Sequence, residues 1–352
     1  MAANAFLKVS EIIGLSKSNF GKLLDPFNGV GDIENKILRT PLEPGITYSD
    51  DPLRMMRAAR FASQLNFEIA PDVLSSMKDL AHRISIISAE RVRDEFTKII
   101  MSPNPRIGIT LLVDTGLADI VLPEIPKLRL EVDEHHHHKD VYEHSITVLE
   151  QAIALENRLD GPNLVIRLAA LLHDIGKPKT RAFIEGGGVS FHHHEVVGAR
   201  LAKKRLQALR FDNDTIDAVE LLTMLHLRFH GYGEGEWTDS AVRRYVRDAG
   251  EFITHLHVLT RADCTTRNKA KAARLSATYD SLEARIAVLM EQEELSKIRP
   301  DLDGEQVMQI LNMKPSREVG QAMDFLLELR LEQGPIGEAA ATKALLEWWA
   351  KK

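Results

Sequence analysis

The stretch that decides the fold is Leu164-Val165-Ile166-Arg167-Leu168-Ala169-Ala170-Leu171-Leu172, followed directly by His173-Asp174-Ile175-Gly176-Lys177-Pro178. Residues 164 to 172 are apolar nearly all round, which predicts a helix buried on every side rather than one with a single apolar stripe. Gly176 and Pro178 predict where it stops. Two polar side chains at the end of such a helix are costly to bury without a hydrogen-bond partner or a metal. Imidazole nitrogen and carboxylate oxygen together suit a divalent ion. Lys177 places a cation beside the pair, where it can hold a phosphate or stabilise charge on a leaving oxygen. For the dipeptide alone, the alternative is a helix C-terminus whose dipole is complemented by His and Lys.

Further candidates lie on either side. His144 falls on an amphipathic helix whose stripe is Ile146, Leu149 and Ile153, with Asp140 as its expected cap. Asp263 falls on a much later helix. Together with His173 and Asp174 these make one metal-ligand set, which weakens the dipole alternative. His194, in Phe191-His192-His193-His194-Glu195, stands where a helix should begin, and His226 ends the run Leu221-Leu222-Thr223-Met224-Leu225. These two extend the site to a second metal, with Asp174 as the bridge between ions. The alternative is that His192 and His193 are exposed neighbours and that a lone helical histidine is a satisfied core or surface residue. The run His135 to His138 reads as a solvated loop, since consecutive residues in a loop rarely point at one site.

Elsewhere the pattern is mainly helical. Helices are expected from Pro52 onward, with Asp50 or Asp51 as cap, and at Ser75 to Arg83, Ala89 to Met101 and Pro105 to Thr115. Turn signals at Asp25 to Gly29 and Glu43 to Gly45 bracket two possible short strands, Lys22 to Leu24 and Lys36 to Arg39. A charged stretch, Asn268 to Arg274, leads into a helix over Leu282 to Leu295, and Pro300 with Asp303-Gly304 opens a last helical unit. With 352 residues, 44% of them hydrophobic, the chain is long enough for two or three domains with real cores. The single cysteine, Cys264, excludes an intrachain disulfide, and no apolar run approaches a membrane span. A reducing cytoplasm fits. A net charge of -6 argues against a generally basic nucleic-acid binder while leaving local basic patches open.

The order His138-Lys139-Asp140-Val141-Tyr142-Glu143-His144, Leu172-His173-Asp174-Ile175-Gly176-Lys177-Pro178, Phe191-His192-His193-His194-Glu195 and Thr260-Arg261-Ala262-Asp263 resembles the HD phosphohydrolase superfamily. It resembles in particular the HD domain fused to many bacterial tRNA nucleotidyltransferases, the CCA-adding enzymes related to poly(A) polymerases. The resemblance implies a metal-dependent phosphodiesterase or phosphatase acting on phosphorylated nucleotides or RNA ends, with His144, His173, Asp174 and Asp263 as metal ligands. Asp25-Pro26-Phe27-Asn28-Gly29 through Asp32 and Leu38-Arg39 looks like the last hairpin of the polymerase head. Asp50-Asp51-Pro52-Leu53-Arg54-Met55-Met56-Arg57-Ala58-Ala59-Arg60-Phe61 looks like its nucleobase-selecting helix. Asp51 and Arg54 inherit the contact to the incoming base, with Arg57, Arg60 and Arg93 as further nucleotide-binding candidates. A carboxylate accepts from exocyclic amines while a guanidinium donates to ring acceptors. The alternative for Asp51 and Arg54 is a capped helix with an intrahelical ion pair. Glu90-Arg91-Val92-Arg93 and Ser102-Pro103-Asn104-Pro105 extend the likeness through the neck. Lys314-Pro315-Ser316-Arg317 and its surroundings carry it into a tail that the resemblance assigns to holding tRNA.

One departure stands out. The family's Gly-rich strand and turn and its paired-carboxylate strand are missing from Met1 to Asn19, where Glu11 is the one acidic residue and Gly14 the first glycine. A truncated or degenerate member is therefore expected, one that does not add CCA by itself. The expected fold is mainly all-α, with a small residual β hairpin. Its expected parts are a head remnant (1–47), a helical neck that binds nucleotide or RNA (48–125), an HD metal-dependent phosphohydrolase domain (126–270) and a helical, tRNA-binding tail (271–352). The expected cofactor is one or two divalent ions (Mg, Mn, Ni, Co, Fe or Zn) and the expected partners are a phosphorylated nucleotide or RNA, including tRNA, with no membrane. Catalytic roles fall to Lys177, His194 and His226. The rival readings are a CCA-adding transferase whose catalytic head lies outside this chain, and a non-catalytic RNA-binding protein.

Overall fold

The computed structural model describes residues 25–129, 140–184, 188–233, 237–266, 268–293 and 298–352. The expected strand at Lys22 to Leu24, the stretch Met1 to Asn19, the loop His135 to His138 and Leu295 lie outside these residues. The chain divides into two compact units, Met1–His226 and Leu227–Lys352. Among the described residues helices dominate, the sheets are two-stranded, and no helix is long and apolar enough to cross a membrane.

The first unit begins with α1 (Gly29–Glu34), β1 (Ile37–Leu38), α2 (Pro44–Asp50), α3 (Leu53–Leu65) and β2 (Glu68–Ile69). The Glu43-Pro44-Gly45 signal is a helix start and not a turn between strands. Glu43 accepts hydrogen bonds from the N–H groups of Gly45 and Ile46, and Pro44 takes the first helical position, where its missing N–H costs nothing. β1 pairs in parallel with β2, Ile37 beside Glu68 and Leu38 beside Ile69. That pairing is absent from the sequence reading, because two residues leave no periodicity to detect.

The neck continues through α4 (Pro71–Leu80), α5 (Ala89–Ile100), α6 (Pro105–Asp114) and α7 (Leu117–Val121). α4 starts four residues before its expected position, with Pro71 at its first turn. Met55, Met56, Ala59 and Ala62 bury one face of α3. Helix α6 comes so close that a Cβ at Gly108 would meet Ser63 Oγ at 2.3 Å and Ile99 Cγ2 at 2.6 Å.

Beyond residue 140 the unit is built from α8 (Val141–Ala154), α9 (Leu164–Leu172), α10 (Lys177–Thr180), the hairpin β3 (Ala182–Phe183) and β4 (Val189–Ser190), α11 (His194–Ala208) and α12 (Asn213–Leu225). Asp140 caps α8 by accepting from Tyr142 N–H at 2.9 Å. The limits of α9 match those expected. However, Gly176 and Pro178 only interrupt the helical path, since α10 resumes at Lys177 with Pro178 in its first turn. Arg167, in the middle of the apolar helix, is 4% exposed. It makes a two-pronged bond to Glu156, 2.7 Å on each side, and donates to the carbonyls of Ile100 and Ser102 at 2.9 and 3.0 Å. Those carbonyls lie at and just past the end of α5, where helical acceptors lack partners, so one buried guanidinium ties α9 to the neck.

The second unit contains α13 (Asp239–Ala249), α14 (Ile253–Ala262), α15 (Lys269–Glu293), α16 (Gly304–Ile310), α17 (Arg317–Gln333) and α18 (Glu338–Trp349). The charged stretch from 268 to 274 lies almost wholly within α15, which is one longer helix than expected. Asp303 opens α16 with a capping box completed by Gln306. Leu302, Val307, Ala322, Leu326, Ala341 and Leu345 form a core of their own.

Candidate metal centre

Four helices and one turn of the first unit bring their polar ends to a single point. Asp174, in the turn after α9, is 1% exposed, and both its carboxylate oxygens face imidazoles. On Oδ2 stand His144 Nε2 at 3.5 Å and His173 Nε2 at 3.3 Å. On Oδ1 stand His194 Nε2 at 3.3 Å and His226 Nε2 at 3.9 Å. His144 comes from α8, His194 from the first position of α11, and His226 from the end of α12. Two groups of ligand atoms, His144-His173-Asp174 and Asp174-His194-His226, each fall within 4.8 Å, and Asp174 belongs to both.

The hydrogen bonds of the rings decide what the cluster can hold. Nδ1 of His173 lies 2.9 Å from the Ala170 carbonyl, that of His194 2.8 Å from Phe191 O, and that of His226 2.7 Å from Thr223 O. A carbonyl oxygen only accepts, so each Nδ1 carries the proton, and in the neutral ring Nε2 presents a lone pair to Asp174. Lone pairs facing a carboxylate repel unless a cation lies between them. Protonating all the rings would crowd like charges whose centroids are 5.2 to 5.3 Å apart in a buried site. The donor set therefore fits a divalent ion, or two sharing Asp174, and backbone-anchored Nδ1 atoms are what metal-ligating histidines ordinarily show. Burial alone raises the pKa of Asp174. Nearby positive charge, including the Lys177 ammonium, outweighs it and holds the carboxyl well below its usual range.

Lys177 Nζ lies 2.6 Å from Asp174 Oδ2. The cluster opens to solvent at Lys177 and His144, whose side chains are 21% and 15% exposed, whereas those of His173 and His226 are 1% exposed. His192 and His193 are exposed, as one of the two sequence readings has it. Asp263 follows α14 in the second unit, its N–H bonded to Leu259 O, and the ligand atoms gathered around Asp174 all come from the first unit.

Two glycines that the sequence reading did not connect with the site make it possible. A Cβ on Gly176 would lie 2.1 Å from His194 O and 2.7 Å from Gly198 N. Gly198 is in turn 3.3 to 3.4 Å, measured from its own added Cβ, from Gly176 N and His173 O. Backbone meets backbone here, and this brings the His173-Asp174 turn against the start of α11. Gly176 read as a helix breaker because its close approach depends on a residue far along the chain.

The neck residues are arranged differently. Asp51 accepts from Leu53 N–H at 3.2 Å and pairs with Arg91 at 3.2 Å, while Arg54 pairs with Asp50 at 2.9 Å and donates to Thr47 O at 3.2 Å. Asp51 and Arg54 thus have separate ion partners, and the pair between Asp50, the last residue of α2, and Arg54, in the first turn of α3, links the two helices. Arg60 binds Glu95 at 3.0 Å and lies over Phe61, 4.4 Å from its centroid. Arg57 is half-buried on the same helix. Arg93 donates to Arg210 O at 2.6 Å and to Asp94 at 2.9 Å.

Comparison with known proteins fits this geometry. Residues 66–128 match the family described as the probable RNA and SrmB-binding site of polymerase A, and residues 141–290 match the HD domain. The chain is 31% identical over 339 residues to the A-adding tRNA nucleotidyltransferase of Deinococcus radiodurans, covering 94% of this chain and 75% of that protein. It is 31% identical over 334 residues to the CC-adding tRNA nucleotidyltransferase of Thermus thermophilus, covering 91% and 71%. It is 34% identical over 219 residues to the multifunctional CCA protein of Neisseria meningitidis serogroup A, covering 61% of this chain and 50% of that one. Among solved structures, the Bacillus stearothermophilus CCA-adding enzyme in complex with CTP shares the fold, with a TM-score of 0.63 at 21% identity over 94% of this chain and 70% of that one. By these relatives the chain belongs to the tRNA nucleotidyltransferase family and carries an HD domain.

Proposed function

We propose that this tRNA-processing protein hydrolyses a phosphate ester or phosphodiester at an RNA end or on a nucleotide, in the cytoplasm, through its histidine–aspartate cluster. The observation that carries the reading is Asp174, met on both oxygens by imidazoles whose Nδ1 protons are committed to backbone carbonyls. His144, His173 and Asp174 would hold one divalent ion, and Asp174, His194 and His226 a second. A divalent ion so held polarises a phosphoryl oxygen and makes a water nucleophile available near neutral pH. Asp174 remains a carboxylate throughout, because its neighbours favour the charged form. Lys177, at the solvent side, is placed to hold a phosphate oxygen and to offset charge as the leaving oxygen departs. Asp263 stays in the ligand set as the HD resemblance gives it, and the domain limits 1–47, 48–125, 126–270 and 271–352 stay as read from the sequence.

A second reading has the names of the relatives behind it, and they favour it over hydrolysis: nucleotide addition at the 3′ end of tRNA. Here the chain supplies base selection through Asp51 and Arg54, with Arg57, Arg60 and Arg93 lining the nucleotide, and a tRNA-holding tail, while the catalytic head lies outside this chain. A single experiment separates the two. Purified chain is given a divalent metal and a panel of phosphorylated nucleotides and 3′-phosphorylated oligoribonucleotides. In parallel, with a nucleotidyltransferase head supplied as a separate polypeptide that is inactive on its own, it is given tRNA lacking its terminal CCA with CTP, ATP and magnesium. Phosphate release that vanishes in His173→Ala supports the first reading. Extension of the tRNA that survives in His173→Ala supports the second and overturns the first if no phosphate is released.

A further inference from the structure

The hairpin between the His173-Asp174 turn and His194 has a face that neither reading uses. Ala182 pairs with Ser190 and Phe183 with Val189. Alternation along each strand then puts Arg181, Phe183, Val189 and Phe191 on one face, and Ala182 and Ile184 on the other. The contacts follow this order. The Arg181 guanidinium lies over the Phe183 ring, 4.8 Å from its centroid, and Lys177 Nζ lies 5.7 Å from the Phe191 centroid and 2.6 Å from Asp174 Oδ2. Phe191 also fixes His194 through its carbonyl. A line of alternating cations and aromatic rings therefore runs from Phe183, which is 65% exposed, down to the buried cluster.

We infer that this face is a strip for single-stranded RNA, binding the last nucleotides of a strand whose terminal phosphate reaches Lys177. The inference rests on the reading of the cluster as acting on an RNA end and names how that end is held. Cations interleaved with aromatic rings, the outermost of them 65% exposed, match a polyanion that carries flat bases. Diagonal neighbours on a two-stranded ribbon are about 7–8 Å apart, a spacing that suits successive unstacked bases. Phe183 stacks a base, Arg181 covers the adjoining phosphate or stacks in its turn, and Phe191 takes the next base inward.

The test is binding, measured with metal removed by EDTA so that no turnover is needed. The probe is a fluorescent single-stranded oligoribonucleotide of mixed sequence, beside an abasic strand of the same length, and the protein is the full chain. Phe183→Ala should bind the oligoribonucleotide roughly tenfold more weakly, and Phe183→Trp about as well as the parent. Ile184→Ser, on the opposite face and itself 52% exposed, should bind like the parent. The abasic strand should not distinguish Phe183→Ala from the parent. Equal binding of the mixed-sequence strand by Phe183→Ala and parent overturns the inference and leaves the exposed Phe183 ring to a protein partner. An equal loss in Ile184→Ser also overturns it. If no metal supports phosphate release but the Phe183→Ala defect stands, the hydrolase reading falls and the strip remains.

Discussion

The cluster around Asp174 and the exposed start of helix α3 both carry carboxylates and cations, yet they use them in opposite ways. Around Asp174, side chains from distant parts of the sequence converge on one buried carboxylate, and their ring nitrogens are oriented by backbone carbonyls. At Asp51 and Arg54, each charge pairs at the surface with its own neighbour, Arg91 or Asp50, on partly exposed side chains. Exposed pairs of this kind contribute little to stability and exchange readily for a ligand. A buried carboxylate ringed by neutral imidazoles needs compensating positive charge, of which Lys177 supplies one and a bound metal would supply more. The first arrangement fits the proposed metal site, and the second leaves its charges accessible to the proposed nucleotide.

The contrast can be broken at the Asp174 end most severely. Asp174→Asn keeps the side-chain volume but removes the charge shared by both triplets, so metal affinity should fall by about a hundredfold or more. Any phosphate hydrolysis should fall to background while circular dichroism stays helical. Elemental analysis after dialysis checks this, and full metal content in the variant would contradict it.

Arg167 tests whether the rigidity of the cluster depends on its attachment to the neck. Arg167→Met strands the Glu156 carboxylate and two carbonyls in the interior and should cost about 3–5 kcal/mol in urea unfolding. A change under about 1 kcal/mol would mean that water already reaches those groups.

Gly176→Ala addresses the close approach directly. Its Cβ meets the His194 carbonyl, so a destabilisation of about 1–3 kcal/mol is expected. Because that carbonyl belongs to a proposed ligand, His194, weaker metal binding should accompany it. Loss of stability with unchanged metal binding would show that the His194 side of the centre tolerates displacement.

The smallest effects belong to the neck. Asp51→Ala and Arg54→Ala should each change stability by no more than about 0.5–1 kcal/mol in thermal melts. Binding of CTP or ATP should fall in both, as measured by calorimetry. A large stability loss without any change in nucleotide binding would make the two residues structural.

Much of this arrangement could be read along the chain. Helix α9 was legible to the residue because an apolar run on all sides meets a polar pair at its end, and His144, His194 and His226 stood at helix positions that the structure brings to Asp174. What could not be read depends on partners far away in sequence. Arg167 looks anomalous in an apolar helix until the ends of α5 come near. Gly176 looks like a breaker until α11 packs on it. Glu43 looks like part of a turn because a glutamate cap lacks the Ser, Thr, Asp or Asn signature of a helix start. Phe183 and Phe191 share a face only through a register that two-residue strands do not announce.

The most direct test of the central claim is an anomalous-scattering map from a crystal of the full chain grown with manganese. A peak is expected between the Asp174 carboxylate and the Nε2 atoms of His144 and His173, of His194 and His226, or at both places. Manganese seen only elsewhere on the protein, with no peak within coordinating distance of Asp174, would contradict it.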